Sequence, residues 1–118
     1  MASKFESTEA YEQYVNFRNK LVEFLPNANP VFQKTLMLLL CDALAKYIAY
    51  FKIAYDKKSI RIKYLDKTKE QFYIIREQVE ILSKSSNTLS GLEIVSYVKE
   101  LKKGFLKYYN WATSKDND

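Results

Sequence analysis

The chain of 118 residues contains no histidine, one cysteine, two glycines and two prolines. The lack of histidine removes the commonest general base, a common metal ligand and every nucleophile that an imidazole would activate. A single cysteine, Cys41, cannot form a disulfide within the chain, and we interpret its thiol as part of the core. We therefore expect a protein that is not an enzyme and that uses no metal or other cofactor.

Glycine and proline are also too scarce for a protein built from many strands. Sandwiches and barrels need turns every 8–12 residues or so, and typical chains contain about 7% glycine and 5% proline. Apolar residues make up 47% of the chain and charged residues 28%, which is ordinary for a globular protein and argues against disorder. The composition predicts one all-α domain that spans residues 1–118.

Long apolar runs are missing as well. Residues 1–14 contain no apolar stretch of the signal-peptide type. The most apolar segment, 35–55, is interrupted by Asp42, Lys46 and Lys52, so that no uncharged run of about 20 residues is left to span a membrane. We expect a cytoplasmic protein without membrane contact.

Four segments have the apolar spacing of amphipathic helices. Their approximate ranges are 7–25, 30–55, 59–83 and 90–113, before a tail of 114–118 that we expect to be disordered. Core positions are predicted on three of them: Tyr14, Phe17, Leu21 and Phe24; Ile62, Leu65, Phe72, Ile75, Val79 and Leu82, with a gap around Thr68; and Ile94, Val98, Leu101, Phe105, Tyr108 and Ala112. Short connections between such helices predict an up-down-up-down antiparallel four-helix bundle.

Capping residues mark the starts of three helices. Asn29 followed by Pro30 is a favourable start for the second helix. Ser59 is the predicted N-cap of the third helix. Ser90 and Glu93 have the spacing of a capping box and predict the start of the fourth helix.

The second helix is apolar on nearly all sides, and Met37, Leu38, Leu39 and Leu40 together cover a full turn. One bundle core covers only one stripe of a helix. Either the neighbouring helices embrace this helix unusually closely, or its outer face meets another subunit. We favour the second alternative and predict a homo-oligomer, because a contiguous apolar surface usually marks an interaction site.

Positive charge is concentrated in segment 46–69, where eight cations and two acids give a net charge of +6, against +5 for the whole chain. Like charges four residues apart, as in Lys63 with Lys67 and Lys103 with Lys107, cost about 0.2–0.5 kcal/mol each. Solubility does not require this cost, whereas a polyanion would benefit from such cations. We predict a nucleic-acid-binding site that consists of Lys57, Lys58, Arg61, Lys63, Lys67, Lys102, Lys103 and Lys107.

These residues also allow interpretations in which they bind no ligand. The cations can form a solvated lysine face, and the ten tyrosines can line core edges, although aromatic rings beside cations also stack bases. A membrane-surface helix is less favoured, because the apolar stripes are needed for the core. Glu77 and Glu80 are the only carboxylate pair that suggests acid–base catalysis, and we interpret them as surface charges.

The helix order, the basic connection between the second and third helices, and segment 72–107 (FYIIREQVEILSKSSNTLSGLEIVSYVKELKKGFLK) resemble the accessory variability determinant proteins of diversity-generating retroelements. In that family the third helix ends in an arginine-containing apolar segment followed by leucine and serine, to which Arg76, Leu82 and Ser83 correspond. The family's Gly-Gly-Trp-Ile-Lys ending of the fourth helix corresponds to residues 103–107, where Lys103 and Phe105 replace the first glycine and the tryptophan.

The resemblance implies a bundle that assembles as a five-membered ring and binds the element's reverse transcriptase and its template RNA. We accordingly predict a non-enzymatic accessory protein that holds RNA or cDNA by phosphate contacts and docks on the polymerase. Two alternatives stay open. One is a generic bundle of the type encoded in ribosomal RNA intervening sequences, without a polymerase partner, and the other is a protein–protein adaptor whose basic end meets an acidic protein.

Overall fold

The computed structural model describes residues 4–24, 31–85 and 89–115. These residues form four α-helices: α1 Glu9–Phe24, α2 Val31–Asp56, α3 Arg61–Ser85 and α4 Leu89–Lys115. Single 3₁₀ turns, Phe5–Ser7 and Lys58–Ile60, precede α1 and α3. No strand occurs within the described ranges, so the all-α prediction is confirmed.

The four helices pack as a bundle in which each helix contacts two others. The contacts pair α2 with α3, α3 with α4, α4 with α1 and α1 with α2, and those between α2 and α3 are the most extensive. The molecule measures 50 × 29 × 19 Å, and its longest helix, α4 with 27 residues, spans about 40 Å of the long dimension at about 1.5 Å per residue. The prediction of a four-helix bundle is therefore confirmed.

The predicted apolar stripes form the core of this bundle. Of the positions predicted on α1, α3 and α4, only Phe24, Ile62 and Tyr108 are half-buried, and all the others are buried. The gap in the α3 stripe is also buried, because Thr68 is fully enclosed and its hydroxyl donates a hydrogen bond to the Tyr64 carbonyl at 2.7 Å. A polar residue therefore continues the core stripe without leaving its hydroxyl unpaired.

One turn of α2 separates the two alternatives for its outer face. Met37 and Leu40 are buried, whereas Leu38 is 52% and Leu39 is 51% exposed. The neighbouring helices therefore do not embrace α2 on all sides, and that alternative is wrong for this turn. Self-association through the exposed leucines remains a prediction.

Three predicted helix starts differ from the structure. The first helix was expected from residue 7, but α1 begins at Glu9, because Thr8 is extended and its hydroxyl accepts a hydrogen bond from the Tyr11 N–H at 3.2 Å. Ser59 lies inside the 3₁₀ turn Lys58–Ile60, and α3 begins at Arg61, whose side chain binds the end of α2. Ser90 lies inside α4, which begins one residue earlier, so it is not the residue that precedes the helix. The predicted cap at Asn29 and Pro30 falls outside the described residues.

The carboxyl end of α4 extends past the predicted limit of 113. Ser114 and Lys115 were expected in a disordered tail, but both are helical. Ala112 is buried, and the Thr113 hydroxyl donates to the Tyr109 carbonyl at 2.9 Å, so packing and a local hydrogen bond both support the last turn. The rest of the predicted tail, 116–118, lies outside the described residues.

Seven of the ten tyrosines are half-buried at core edges, whereas Tyr14 and Tyr47 are buried and Tyr73 is exposed. Tyr47 is fully buried, and its hydroxyl has no hydrogen-bond partner among the described residues. Burial raises the pKa of this phenol, because the charged form would lose its hydration.

Within the described ranges, none of the helices has the length and apolar character needed to cross a membrane.

Candidate nucleic-acid interface

Arg61, the first residue of α3, binds the carboxyl end of α2. Its Nε donates to the Ala54 carbonyl at 2.9 Å, and one terminal nitrogen donates to the Tyr55 carbonyl at 3.0 Å. These carbonyls belong to the last turn of α2, where the helix macrodipole is negative and backbone acceptors lack partners within the helix. A cation at the start of α3 is unfavourable because the macrodipole is positive there. The same cation is favourable at the negative end of α2.

The same guanidinium also reaches α4. Its central carbon lies 5.8 Å from the centre of the Trp111 ring, a cation–π distance. Burial raises the pKa of Tyr108, while the charge of Arg61 and its hydrogen bond to that hydroxyl act in the opposite direction. Arg61 is half-buried and joins three helices, so its donors are largely used within the fold.

Three other predicted cations surround the α2–α3 connection. Lys57, Lys58 and Lys63 are exposed, and none of them forms an ion pair with a residue that the structure describes. They are available for phosphate contacts, but they are part of an open surface on the 3₁₀ turn and the first turn of α3.

Lys67 lies between α2 and α3. Its Nζ is 5.6 Å from the centre of the Tyr50 ring and 5.3 Å from that of Tyr64. The two rings are themselves in contact, with centres 6.0 Å apart. The ammonium group is therefore held over aromatic rings on the side of α3 that faces α2.

The predicted cations of α4 point to two different sides of the helix. Lys103 pairs with Glu100 at 3.2 Å, and Lys107 pairs with Glu9 of α1 at 3.0 Å. Lys102 instead lies on the side that faces α3, and it has no acidic partner within the described part of the chain. The structure therefore separates Lys102 from the two neighbours with which the sequence had grouped it.

A recess between the two last helices, which we call the α3–α4 groove, surrounds Lys102. Two further cations, Lys69 and Arg76 of α3, line the same recess, and none of its described lining residues is acidic. The remaining lining residues are apolar or aromatic: Phe72, Tyr73, Phe105, Leu106 and Tyr109. The groove therefore combines three positive charges with a largely aromatic wall.

Cations and rings are in contact inside this groove. The guanidinium carbon of Arg76 lies 5.0 Å from the centre of the Tyr73 ring. Across the groove, Lys69 Nζ of α3 lies 5.7 Å from the centre of the Tyr109 ring of α4. Neither cation forms an ion pair with a described residue, and each lies over an aromatic ring.

The groove continues towards the other end of the bundle, where its character changes. Lys99 lines this continuation together with Arg76, Lys102 and Glu80. Glu80 is the first carboxylate met along the groove, and it pairs with Lys84 at 3.1 Å. The part of the groove whose described lining contains no acidic residue therefore ends at Glu80.

Catalytic and metal-binding arrangements are not evident in the described ranges. No group of three or more cysteine, aspartate or glutamate side chains lies close enough there to hold a metal ion. Glu77 is exposed on α3, and Glu80 is used in its ion pair with Lys84. What the arrangement offers chemically is the binding of anions and of flat rings.

Sequence reasoning placed Lys102 in the site but missed Lys69, Arg76 and Lys99. Lys69 and Arg76 are seven residues apart on α3, and Lys99 and Lys102 are three apart on α4, so each pair shares one side of its helix. Clustering by sequence favoured the dense segment 57–67 over these dispersed positions. A helical projection of α3 and of α4, centred on the predicted core residues, would have shown that Lys69 lies on the same side as Arg76 and that Lys99 lies on the same side as Lys102.

Comparisons of the chain with known protein-family models, with characterised proteins and with solved structures gave no match. Function is therefore inferred from the residues of the groove and its surroundings.

Proposed function

We propose that the protein is a non-enzymatic nucleic-acid-binding bundle that serves as an accessory to reverse transcription. The observation that carries this proposal is the α3–α4 groove, where Lys69, Arg76 and Lys102 line one recess without an acidic residue among its described lining. Neutralising phosphates with such cations releases condensed counterions and gives affinity that does not depend on sequence.

Aromatic walls and cations from two different helices distinguish this groove from a solvated lysine face. Lys46, Lys103 and Lys107 each lie within 3.2 Å of a carboxylate, whereas the exposed Lys57, Lys58 and Lys63 have no ion pair with a described residue. The groove cations lack such a partner and are held near one another by two packed helices. An external polyanion supplies the missing negative charge.

The cations around the α2–α3 connection extend the proposed surface. Lys57, Lys58 and Lys63 are exposed and contact further phosphates. Lys67 lies on the side of α3 that faces α2, next to these residues. Arg61 contributes by holding the end of α2 against α3 rather than by contacting phosphate. In this proposal Lys103 and Lys107 are peripheral to the binding surface, because each already forms an ion pair with a glutamate.

The helix directions in the proposal are up, down, up and down. Support comes from pairs whose numbers rise along one helix while they fall along its neighbour. Glu9 contacts Lys107, and Phe17 contacts Tyr97 at 6.3 Å between ring centres, along α1 and α4. Along α2 and α3, Ala54 contacts Arg61, and Tyr50 lies beside Tyr64.

The polymerase partner and the ring of five subunits come from the family resemblance. The exposed Leu38 and Leu39 of α2 support self-association, since large apolar side chains side by side on a surface favour burial. Light scattering on nuclease-treated protein should then give about five times the chain mass of 13.9 kDa. A monomer would contradict the ring and favour the generic bundle.

Copurification with a reverse transcriptase encoded beside the gene tests the proposed partner. We expect the two proteins to elute together after nuclease treatment. If the neighbouring genes encode no reverse transcriptase, or if the two proteins elute separately, the accessory role is wrong even where nucleic-acid binding holds.

Two charge-matched triple variants test nucleic-acid binding itself. The groove variant is Lys69→Gln, Arg76→Gln and Lys102→Gln, and the control variant is Lys46→Gln, Lys103→Gln and Lys107→Gln. Both lower the net charge by three, and both alter residues on the bundle surface. We expect the groove variant to bind labelled single-stranded RNA about tenfold more weakly in fluorescence anisotropy at low salt, and the control to change affinity much less.

Equal losses in the two variants would mean that only net charge matters and would contradict the groove as the site. No binding of RNA or DNA by the unmodified protein would contradict the proposed function and favour the adaptor hypothesis.

A further inference from the structure

Tyr73 is placed differently from the other aromatic residues of the groove. Phe72 and Phe105 are buried in the core, whereas Tyr73 is 44% exposed. Its ring centre lies 6.1 Å from that of Phe72, and the guanidinium carbon of Arg76 lies over the ring, 5.0 Å from its centre. The core therefore supports this ring from one side and leaves much of it accessible from the groove.

An arginine beside an exposed tyrosine provides two stacking surfaces. The guanidinium is planar and weakly hydrated, so it stacks on rings as well as binding phosphate. Unpaired bases stack on both aromatic rings and guanidinium planes. The Tyr73–Arg76 pair is therefore a platform for one flat, electron-rich ring system next to positive charge.

The other two cations of the groove are positioned for the backbone of the same strand. Lys69 lies seven residues before Arg76, about 10 Å along the axis of α3 at 1.5 Å per residue. Lys102 is on the opposite wall and faces the same recess. A strand that places a base on the platform has cations on both walls for its phosphates.

A duplex cannot use this platform. Its base faces are stacked on one another, and only base edges and phosphates are accessible to a protein. The groove is also a recess between two directly packed helices, whose axes in such packing are about 8–10 Å apart. A duplex would contact the cations from outside and leave Tyr73 without a role.

From these observations we infer that the α3–α4 groove is selective for single-stranded nucleic acid, with an unpaired base stacked on Tyr73 and Arg76 while Lys69 and Lys102 contact the flanking phosphates. This inference depends on the proposed nucleic-acid binding and adds the class of strand that is bound. Stacking is tolerant of sequence, so the selection is for unpaired bases rather than for a particular base.

The test compares Tyr73→Leu with the unmodified protein on a single-stranded oligonucleotide and on the duplex of the same sequence. Removing a stacking ring should weaken single-strand binding by about fivefold or more. Duplex binding should change less than single-strand binding, and Tyr73→Phe should restore single-strand affinity, because the ring rather than the hydroxyl makes the contact. Tyr97→Leu is the control, since Tyr97 is a half-buried tyrosine that packs against Phe17 on the side of α4 that faces α1.

A 2-aminopurine base in the oligonucleotide reports stacking directly. Its fluorescence should fall on binding to the unmodified protein and fall less with Tyr73→Leu. Circular dichroism of each variant verifies that the helices are intact. Arg76→Lys provides a second readout, because it keeps the charge and removes the plane: affinity for the single strand should fall while the salt dependence is retained.

The outcomes separate the two claims. If neither strand form binds, the proposed function is wrong. If both bind and Tyr73→Leu weakens them equally or not at all, nucleic-acid binding holds and the inferred stacking is wrong.

Discussion

The two sides of α4 carry the same kind of residue in different surroundings. On the side that faces α1, Lys107 pairs with Glu9, and the absence of a side chain at Gly104 lets the two helices approach closely. On the side that faces α3, Lys102 has no acidic partner among the described residues and lines a recess with aromatic walls. On the α1 side, the lysine is paired with a glutamate of its own chain. On the α3 side, the lysine lines a recess that a ligand could enter. Two lysines of one charge run therefore differ in whether a carboxylate of the same chain pairs with them, and we propose a binding role only for the unpaired one.

The close approach on the α1 side gives the largest expected effect. A Cβ at Gly104 would lie 3.0 Å from the Ala10 Cα, so Gly104→Leu should force α1 and α4 apart and lower the free energy of unfolding by about 1–3 kcal/mol. Asn110→Leu, at an exposed position of the same helix, is the control and should change it by less than about 0.5 kcal/mol. Urea denaturation measures both. Equal effects would mean that the contact with Ala10 is unimportant.

Arg61 gives the next largest effect. Arg61→Ala removes donors from the carbonyls of Ala54 and Tyr55, and we expect it to lower the free energy of unfolding by about 1–2 kcal/mol. Lys63→Ala, an exposed cation two residues later, should have almost no effect on stability. If Arg61→Ala leaves stability unchanged but weakens RNA binding, Arg61 belongs to the binding surface and our structural assignment is wrong.

The cations at the α2–α3 connection should matter less than those of the groove. Lys57→Gln with Lys58→Gln and Lys63→Gln removes three charges from an open surface, and we expect RNA affinity to fall about threefold, against about tenfold for the groove variant. Anisotropy titrations at one salt concentration compare the two. A larger loss from the connection would return the site to the segment that the sequence favoured.

The ion pair on the closed side should have the smallest effect. Lys107 and Glu9 are both largely exposed, so their coupling in a double-mutant cycle should be about 0.2–1 kcal/mol at low salt and should decrease as salt screens it. Thermal unfolding of Lys107→Gln, Glu9→Gln and the double variant measures the coupling. A coupling well above this range would mean that the pair contributes strongly to the α1–α4 contact.

Much of the fold could be predicted from the sequence, because helical periodicity reports core positions directly. Leu65, Phe72 and Ile75 of α3 were assigned to the core by spacing alone, and they are buried. Helix starts were harder to predict. Ser59 has the chemistry of a cap, but Arg61 makes a tertiary hydrogen bond to α2 that no local pattern contains.

The candidate site was only partly predictable, for a related reason. Lys102 and Lys103 are adjacent in sequence and equal in charge, yet one lies in the groove and the other pairs with Glu100. Lys69 and Tyr109 are forty residues apart and meet only because α3 packs on α4. Charge density along the chain identifies the sign of a surface, whereas the grouping of its cations depends on which helices are neighbours.

The salt dependence of RNA binding shows whether the cations of the groove contact phosphates. Affinities of the unmodified protein and of the groove and control triple variants should be measured over a series of salt concentrations, and the logarithm of affinity plotted against the logarithm of salt concentration. We expect a slope that is shallower by about 1.4 or more in the groove variant, from the lost phosphate contacts of Lys69 and Lys102 at about 0.7 each, and a nearly unchanged slope in the control. Equal slopes in the groove variant and the unmodified protein would contradict these phosphate contacts.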